Sequence, residues 1–436
     1  MKRLARSWLG ASWFLNGFGG TNGSWLCKNT KCACRKARRK VSIALKLSVS
    51  IVRAVRRNQL LSLARRLLSL PTAPFHEERV AQFIREFAIA RGLRVRTDKF
   101  GNLIVGYRRG RGHRPVAFVA HMDHPGFEAV EDAAGGFVMT RFLGSVPRQY
   151  FRTGGRVRMF GADGEQRATI WSVPDVDWKK EKLVRLRLKG AVRRGDFGMW
   201  DLAPVKTNHR VIWSRACDDL AGCVVLLAML DELAQSRASA SAYAVFTRAE
   251  EAGFHGAMGL MRSRLIPQSA IVISVESSKE LPHAPMGQGP IIRVGDRATT
   301  FDSRVTMFLE EMAARVARAD RRFTFQRRLM DGGTCESTVF CHSGYRAGAA
   351  CLAMGNYHNL GPGEHIREEY VDVGDMQKAV QFFIEVARRS NDYGRAPRLL
   401  KKRLDALFER GRRQLLQTAA VIRVPAPAVG AFEELE

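Results

Sequence analysis

The stretch YAVFTRAEEAGFHG, residues 243–256, joins an apolar run to a glycine-rich turn and places two adjacent acids between them. Glu250 and Glu251 therefore follow a segment with the composition of a buried β-strand. In an open α/β sheet, the carboxyl ends of the strands form a shared crevice in which ligands bind. The stretch predicts an α/β sheet with both acids at the edge where a site lies.

Other acids and histidines recur along the chain in a similar context; they are His121, Asp123, Asp218, Glu276 and His358. Most of them follow an apolar β-type run, such as residues 116–120 before His121 and residues 270–274 before Glu276. Side chains that converge at one sheet edge would supply nitrogen and oxygen ligands for divalent metals, with one carboxylate to spare. These are the parts of a two-metal hydrolase.

Two divalent ions at close range need a bridging carboxylate, because an anion between two cations offsets their repulsion. Asp218, which opens the Asp-Asp-x-x-Gly turn before the next helix, is predicted to be this bridge. One ion is then predicted to take His121 and Glu276. The other is predicted to take Glu251 and His358. The ions are expected to be zinc, with cobalt or manganese as alternatives.

Two acids remain for the chemistry. Asp123, two residues beyond His121, can turn back to hold the second nitrogen of that imidazole. Glu250 is left free to face the attacking water, and we predict it to be the general base that returns the proton to the leaving amine. Either acid alone would more often be a turn residue or a solvated one, so the hypothesis depends on the joint pattern.

Composition excludes few classes of protein. The chain has 436 residues and 46% hydrophobic content, as in a globular protein of two or three domains, and no apolar run reaches the roughly 20 residues needed to span a bilayer. The net charge is +29, and residues 1–58 hold 14 Lys or Arg and no acid. Such a field could attract nucleic acid, anionic lipid or acidic peptides. Because no nucleic-acid motif accompanies it, we interpret it as a solvated basic surface without a specific nucleic-acid partner.

The eight cysteines do not form a disulfide framework. Those in or beside apolar segments are expected to be small core residues; they are Cys217, Cys223, Cys335, Cys341 and Cys351. Cys27, Cys32 and Cys34 lack a fourth partner at the spacing of a zinc site. The pattern indicates a reducing compartment, and we predict a cytoplasmic protein.

Changes in the pattern of apolar runs, glycine turns and charge along the chain predict its domains. Between His121 and Asp218, short strand-like runs alternate with glycine turns, so a β-rich unit is inserted into the α/β scaffold. The predicted parts are a basic, disordered extension (1–58), the first part of a catalytic domain (59–128), the β-rich insert (129–210), the second catalytic part (211–395) and a basic helical tail (396–436).

Several strings resemble the glutamyl or deblocking aminopeptidases that form tetrahedral particles, a family of co-catalytic zinc metallopeptidases; they are HMDHPGF (121–127), DDLAG (218–222), EEAGFHG (250–256), GGT (332–334) and YH (357–358). The resemblance extends from about Leu60 to Arg389. It implies a three-layer zinc-peptidase fold, with a mixed sheet flanked by helices and an inserted β-barrel-like dimerisation domain. By this likeness Glu250 is the base, and the metal ligands are His121, Asp218, Glu251, Glu276 and His358.

The chain departs from the family pattern at several positions. It has His124-Pro125 where Glu-Ile is usual, Glu276 where Asp is usual, and Cys335 where an Asp commonly follows Gly-Gly-Thr. Glu coordinates a metal as well as Asp does, so the metal site is retained. The side-chain preference of the enzyme does not follow from the sequence.

We therefore expect a metallo-aminopeptidase that acts on short peptides and forms a dimer or a larger homo-oligomer. A related amidohydrolase acting on N-acyl amino acids, or a binding protein on a peptidase fold, remain the alternatives. Four further histidines of the catalytic region, His124, His255, His342 and His365, are expected to pack or to face solvent. Asp375 and the acids between Glu364 and Glu369 are interpreted as helix-start and surface residues.

Overall fold

A computed structural model describes residues 56–208 and 210–422. The predicted extension therefore lies outside the described residues up to residue 55, as do Cys27, Cys32 and Cys34. Within the described residues, no helix is both long enough and apolar enough to cross a membrane.

Eight α-helices are present in the described residues: α1 (Arg57–Leu68), α2 (Glu78–Ile89), α3 (Leu220–Gln235), α4 (His255–Ser263), α5 (Ser303–Ala319), α6 (Glu336–His342), α7 (Val373–Arg388) and α8 (Arg395–Ile422). Most are amphipathic, with apolar residues spaced three or four apart on the buried side. Helix α3 differs because nearly all of its residues are buried, as expected for a helix whose sequence is apolar on every side.

The strands fall into three groups along the chain. The first contains β1 (Arg94–Thr97), β2 (Leu103–Arg109) and β3 (Val116–His121). The second contains β4 (Gly126–Ala129), β5 (Phe137–Leu143), β6 (Arg156–Gly161), β7 (Gly164–Ser172), β8 (Leu183–Leu188) and β9 (Phe197–Trp200). The third contains β10 (Val205–Thr207), β11 (Val211–Ser214), β12 (Ala240–Thr247), β13 (Ile271–Lys279), β14 (Ile291–Gly295), β15 (Gln326–Leu329), β16 (Arg346–Gly355), β17 (Leu360–Gly361), β18 (His365–Ile366) and β19 (Glu369–Asp372).

Eleven strands of the first and third groups form one mixed sheet, with the order β1-β2-β12-β3-β13-β16-β19-β11-β10 and with β14 and β15 attached beside β16. The remaining two, β17 and β18, pair with each other in a separate two-stranded sheet. Strands β12, β3, β13 and β16 are parallel. Because β19 is antiparallel to both β16 and β11, β11 runs in the same direction as these four. Five strands therefore end at the same edge of the sheet.

Helices cover both faces of the sheet, which gives three layers. On one face, a large core joins α1, α3, α5 and α7 to inward-facing residues such as Val105 and Phe118. On the other face, α4 and α6 pack over Ile104, Val119 and Val245. Neighbouring strand residues thus contribute to opposite layers, as the alternation of side chains in a strand requires.

The second group of strands forms a closed barrel in the order β4-β5-β8-β7-β6-β9, and β9 pairs with β4 to complete it. The barrel core is rich in aromatic rings; Phe127 packs edge-on against Phe142 and Trp200, with ring centroids 5.0 Å apart in each pair. The chain leaves the main sheet after β3 and returns to it at β10. The mixed sheet, the flanking helices and the inserted barrel confirm the predicted fold class. The domain boundaries at residues 128, 210 and 395 stay a prediction.

Candidate active site

The predicted site residues lie at the common end of the five co-directional strands. His121 is the last residue of β3, and Glu250 and Glu251 follow β12. Asp218 lies between β11 and α3, and His358 follows β16. Since parallel strands end at one edge, side chains from distant parts of the sequence meet there.

Glu276 is the exception to the strand-end pattern. Its apolar run was expected to end at residue 274, but β13 continues to Lys279, and Glu276 pairs in register with Cys351 of β16. Strand β13 extends because β16 offers it a paired backbone over its full length. Glu276 therefore reaches the same pocket from within a strand.

The distances between these side chains are short. His121 Nε2 lies 3.4 Å from an oxygen of Asp218 and 3.9 Å from an oxygen of Glu250. His358 Nε2 lies 3.0 Å from an oxygen of Glu251 and 3.6 Å from the other oxygen of Asp218. Asp218 thus lies between the two histidines, as a bridging carboxylate must.

Two sets of three side chains could each hold a metal ion, because their ligand atoms lie within 4.8 Å of one another. One set is His121, Asp218 and Glu251, and the other is His121, Glu250 and Glu276. The second set contains the pair His121 and Glu276 that the sequence assigns to one ion. Glu251 and His358, assigned to the other ion, are the pair 3.0 Å apart.

Several of these atoms are buried without a hydrogen-bond partner; they are Asp218 Oδ1, Glu251 Oε1, Glu276 Oε1 and His358 Nε2. Buried polar atoms in proteins are nearly always paired, so four unpaired ones on residues that line one cavity need an explanation. Carboxylate oxygen and imidazole nitrogen are the donors that zinc and similar divalent ions prefer. The donor set therefore fits divalent metal.

Burial and crowded charge shift the pKa values of these groups. Burial raises the pKa of Glu276 to about 8, and burial also raises the pKa of Glu250 well above its usual range. Burial lowers the pKa of His121, but the charges of Glu250 and Asp123 outweigh it and raise that pKa well above normal. Without metal the cluster therefore retains protons near neutral pH, and a cation would compete with these protons.

Asp123 contacts both the histidine and the two acids. Its backbone carbonyl lies 3.1 Å from Nδ1 of His121, and its carboxylate is 3.5 Å from the same nitrogen. The carboxylate also accepts hydrogen bonds from the backbone N–H groups of Glu250 and Glu251, each at 3.0 Å. Asp123 thus holds the turn that carries both acids as well as orienting the ring.

The turn that carries His358 has an unusual backbone. Asn356, His358 and Asn359 all have positive φ angles, between 53° and 63°. Such conformations are uncommon for residues other than glycine and persist only where surrounding contacts hold them. Here the ring of His358 is fixed by the carbonyl of Ser145, which lies 3.0 Å from its Nδ1.

Glu369 contradicts its interpretation as a surface acid. It is fully buried, and its carboxylate accepts hydrogen bonds from the backbone N–H groups of Cys217 (2.6 Å), Asp218 (3.1 Å) and His358 (2.8 Å). It therefore ties together two segments that carry predicted ligands. Burial raises its pKa to about 7. The local sequence around Glu369 cannot predict these hydrogen bonds, because Cys217 and Asp218 lie more than 150 positions away in the chain.

Asp375 lies in the first turn of α7, as expected of a helix-start residue, but it is buried there and accepts hydrogen bonds from the backbone N–H groups of Gly287 and Gly289. His124 packs in the interior, as one of the two expected outcomes. Its Nδ1 lies 2.8 Å from the carbonyl of Asp218, and its Nε2 lies 3.0 Å from Oδ1 of Asn359. His255, His342 and His365 are exposed.

Two further buried acids lie near the site and were not among the predicted site residues. Glu77 accepts hydrogen bonds from the backbone of Ala249 (2.9 Å) and from the guanidinium of Arg248 (2.7 Å), just before the paired acids. Glu336, the first residue of α6, is fully buried, and burial raises its pKa to about 7. No local pattern in the sequence distinguishes either acid.

The site opens into a cavity of about 430 Å³. The lining contains the acids and histidines of the site together with three basic residues, Lys279, Arg293 and Arg297. Arg293 is 3% exposed and donates hydrogen bonds to Ser278 and to the carbonyl of Met330. The cavity therefore combines the predicted metal ligands with basic groups.

Comparisons with known proteins agree with this architecture. The profile of the M42 glutamyl aminopeptidase family matches residues 175–382. The chain is similar to an aminopeptidase from Desulfurococcus kamchatkensis, with 21% identity, a TM-score of 0.66 and coverage of 78% of this chain and 98% of that one. It is also similar to a TET aminopeptidase from a marine-sediment Thaumarchaeota archaeon, with 19% identity, a TM-score of 0.66 and coverage of 76% and 96%.

A third similar structure is the TET1 peptidase of Pyrococcus horikoshii, with 20% identity, a TM-score of 0.63 and coverage of 75% of this chain and 99% of that one. At these identities the structural likeness establishes the fold. The family profile adds a match in sequence over the part that carries Asp218, the paired acids, Glu276 and His358. The predicted resemblance is confirmed: residues 175–382 match the M42 glutamyl aminopeptidase family, and this match, together with the fold, supports a metallo-aminopeptidase.

Proposed function

We propose that the chain removes N-terminal residues from short peptides with a water activated by two divalent ions. His121, Asp218, Glu251, Glu276 and His358 would hold the ions, and Glu250 would be the general base. The proposal rests chiefly on the unpaired buried donor atoms that face one another in the cavity. Zinc is the proposed metal, with cobalt or manganese as alternatives that the same donors accept.

When bound, the ions would polarise the scissile carbonyl and acidify the attacking water. Glu250 is suited to accept the proton from that water, because its carboxylate faces the cavity and its backbone is held by Asp123. As the water oxygen bonds to the carbonyl carbon and the C–N bond breaks, Glu250 passes the proton to the departing amine. The free amino group of the substrate, a cation, would be held by the surrounding carboxylates.

We further propose that the chain assembles at least into a dimer through the barrel, within residues 129–210. The barrel adds surface between two site residues without contributing a predicted ligand. The Pyrococcus horikoshii TET1 peptidase is described as assembling into a tetrahedron or a large octahedral shell. A cytoplasmic location stays part of the proposal and is supported by the free state of all five described cysteines.

The basic residues that line the cavity favour a second candidate. Lys279, Arg293 and Arg297 could bind the free carboxylate of an N-acyl amino acid, whose amide bond the same metals could hydrolyse. They could equally bind an acidic side chain or the C-terminal carboxylate of a short peptide. The presence of these three basic residues therefore does not by itself distinguish an aminopeptidase from a deacylase.

A substrate panel separates the candidates. The purified chain, loaded with zinc, cobalt or manganese, would be assayed on aminoacyl anilides, short free peptides, the same peptides with an acetylated N-terminus, and N-acetyl amino acids. We expect cleavage of the substrates with free amines and none of the blocked ones. Preference for N-acetyl amino acids would replace the aminopeptidase proposal with the deacylase. A protein that retains no stoichiometric metal and cleaves nothing would instead be a binding protein on this fold.

A further inference from the structure

Helix α8 presents an uncovered apolar stripe. It contains 28 residues and follows the catalytic body. Large apolar side chains along it are between 44% and 63% exposed; they are Leu399, Leu400, Leu404, Leu407, Phe408, Leu415 and Leu416. Folded proteins rarely leave so many large apolar residues exposed on one element, and contiguous patches of this kind usually mark an interaction surface.

The polar residues of α8 are arranged around this stripe. Leu400, Leu404, Leu407, Phe408 and Leu415 follow one another at intervals of one, three, four or seven positions, so they lie on one side of the helix. The helix contains eight Lys or Arg and two acids, the acids being Asp405 and Glu409. At 3.6 residues per turn, Lys401 and Arg412 border the stripe on one side and Arg403 and Arg410 on the other.

The helix lies outside the part of the chain that the family profile matches. The family profile ends at residue 382, before α8 begins. The first residue, Arg395, pairs with Glu311 of α5 at 3.6 Å, and the beginning of α8 packs on α5. In the part of the chain that the structure describes, the stripe beyond this point stays exposed. The catalytic site therefore does not account for it.

The charge of α8 decides between possible occupants of the stripe. A second copy of α8 would bring two helices of net charge +6 together, and the like charges along the stripe would repel. Nucleic acid would use the basic residues but leave the leucines in water. An anionic bilayer surface satisfies both features, because the stripe can enter the apolar layer while the flanking Lys and Arg contact lipid headgroups.

We infer that α8 binds an anionic lipid surface, lying along it with the leucine stripe inserted. The helix would not cross the bilayer, because no helix of the described residues is long and apolar enough to do so. The catalytic body would then be held beside a membrane by its C-terminal helix. This inference is independent of the peptidase mechanism, since it uses none of the residues of the cavity.

The test is vesicle flotation of the full chain. One set of vesicles contains phosphatidylcholine and phosphatidylglycerol in equal parts, and the other contains phosphatidylcholine alone. The variant Leu404→Ser/Leu407→Ser/Leu415→Ser removes the stripe without changing net charge. Its matched control is Ile89→Ser/Leu329→Ser, which replaces exposed apolar residues on the body. A second variant, Arg403→Gln/Arg412→Gln, is matched by Arg318→Gln/Arg321→Gln on and just beyond α5.

We expect binding to the anionic vesicles and not to the neutral ones, and at least about tenfold weaker binding by both α8 variants. Both controls should bind like the unaltered chain, and melting temperatures should stay unchanged because the replaced side chains are exposed. Absence of binding to anionic vesicles would overturn the inference, since another part of the chain or another partner would then cover the stripe. Equal binding by the leucine variant would also overturn it, because charge alone would then be responsible. If that variant also fell in mass by light scattering, the stripe would be a contact between copies.

Discussion

Glu250 and Glu251 are adjacent in sequence but have different environments. Asp123 holds both backbone N–H groups at 3.0 Å, which fixes the turn between them. From this turn, the carboxylate of Glu251 reaches His358, whereas that of Glu250 lies nearest His121. Because both backbone amides of the turn are fixed, the two adjacent side chains contact different histidines, as the proposed roles of base and metal ligand require.

Replacing each acid by its amide distinguishes these tasks. Glu250→Gln keeps the size of the side chain but cannot accept a proton from the water, so we expect turnover to fall by about 10²–10⁴-fold with metal content unchanged. Glu251→Gln should reduce metal content instead, because a neutral amide is a poor ligand where a carboxylate is expected. The measurements are peptide turnover and metal per chain.

Each of the two variants is the control for the other, since they differ by one position. Loss of metal from Glu250→Gln together with retention by Glu251→Gln would reverse the assignment of base and ligand. Unchanged peptide hydrolysis in both variants would remove the two-metal hypothesis altogether.

The protonation of the site predicts how the metal-free protein responds to pH. Burial raises the pKa of Glu276 from 4.5 to about 8 and that of Glu369 from 4.5 to about 7. The native state therefore keeps protons that the unfolded chain has already released, and its stability falls as pH rises through this range. His121 and His358 act in the same direction, because charge from neighbouring acids raises their pKa values despite burial.

We expect the melting temperature of protein treated with a chelator to decrease between about pH 5 and pH 8. Added zinc should raise it most at the alkaline end, because the cation replaces the protons that the site must lose there. Glu276→Gln should flatten the slope of the metal-free protein. A melting temperature that rises with pH without metal would contradict the sign of these shifts.

The sequence predicted which acids and histidines meet in the cavity, but not the groups that hold them. The predicted ligands stood out because acids and histidines follow strand-like runs, and strands of one direction end together. Glu369 and Glu77 could not be recognised, because each acts on backbone N–H groups distant in sequence or in another segment. Such roles depend on tertiary packing, and a local sequence pattern does not predict it.

Among the secondary-structure elements, strand β19 begins with Glu369, a residue with a clear structural role. Its carboxylate receives three backbone N–H groups, two of them through a single oxygen. In Glu369→Gln, one oxygen becomes an NH₂ group that cannot accept, so at least one N–H group loses its partner. We expect a loss of about 1–3 kcal/mol in unfolding free energy.

The variant should also bind metal more weakly, because the backbones of Asp218 and His358 would shift. Chemical denaturation and metal titration measure the two effects. Glu368→Gln is the matched control: Glu368 pairs with the mostly exposed Lys206 at 2.8 Å, and surface pairs contribute little. Equal stability of the two variants would show that the Glu369 contacts do not matter to the fold.

At the level of elements, the basic helical tail expected in residues 396–436 corresponds to α8, Arg395–Ile422. The β-rich insert was recognised from its short runs and glycine turns, but the closure of its strands into a barrel came only from the family resemblance. Closure depends on the pairing of β4 with β9, which are about 70 positions apart and share no local signal.

For the molecule as a whole, we expect the N-terminal segment to be dispensable for folding and activity. The first buried residue described is Leu60, in helix α1, and residues 1–58 contain 14 basic residues and no acid. We predict that a chain lacking residues 1–55, which leaves α1 complete, keeps its melting temperature and its turnover. A large loss in either would mean that the segment belongs to the folded body.

The surface of the barrel carries an aromatic patch around Trp171. Trp171 on β7 is 47% exposed; its ring lies 5.5 Å from that of Phe137, and the guanidinium of Arg187 lies 5.5 Å from the ring centroid. Trp and Arg are the residues that most often dominate binding energy at protein interfaces. We therefore expect this patch to lie in a contact between copies of the chain.

Light scattering should give the mass of at least a dimer for the unaltered chain at micromolar concentration. Trp171→Ser should weaken association by about 30-fold or more, the effect of losing a residue worth about 2 kcal/mol. Ile89→Ser, which replaces an apolar residue of 63% exposure outside the barrel, is the control and should leave the mass unchanged. A monomeric unaltered chain would refute assembly itself. An unaltered mass for Trp171→Ser would instead move the contact to another face of the barrel, because a patch that contributes little energy cannot be its centre.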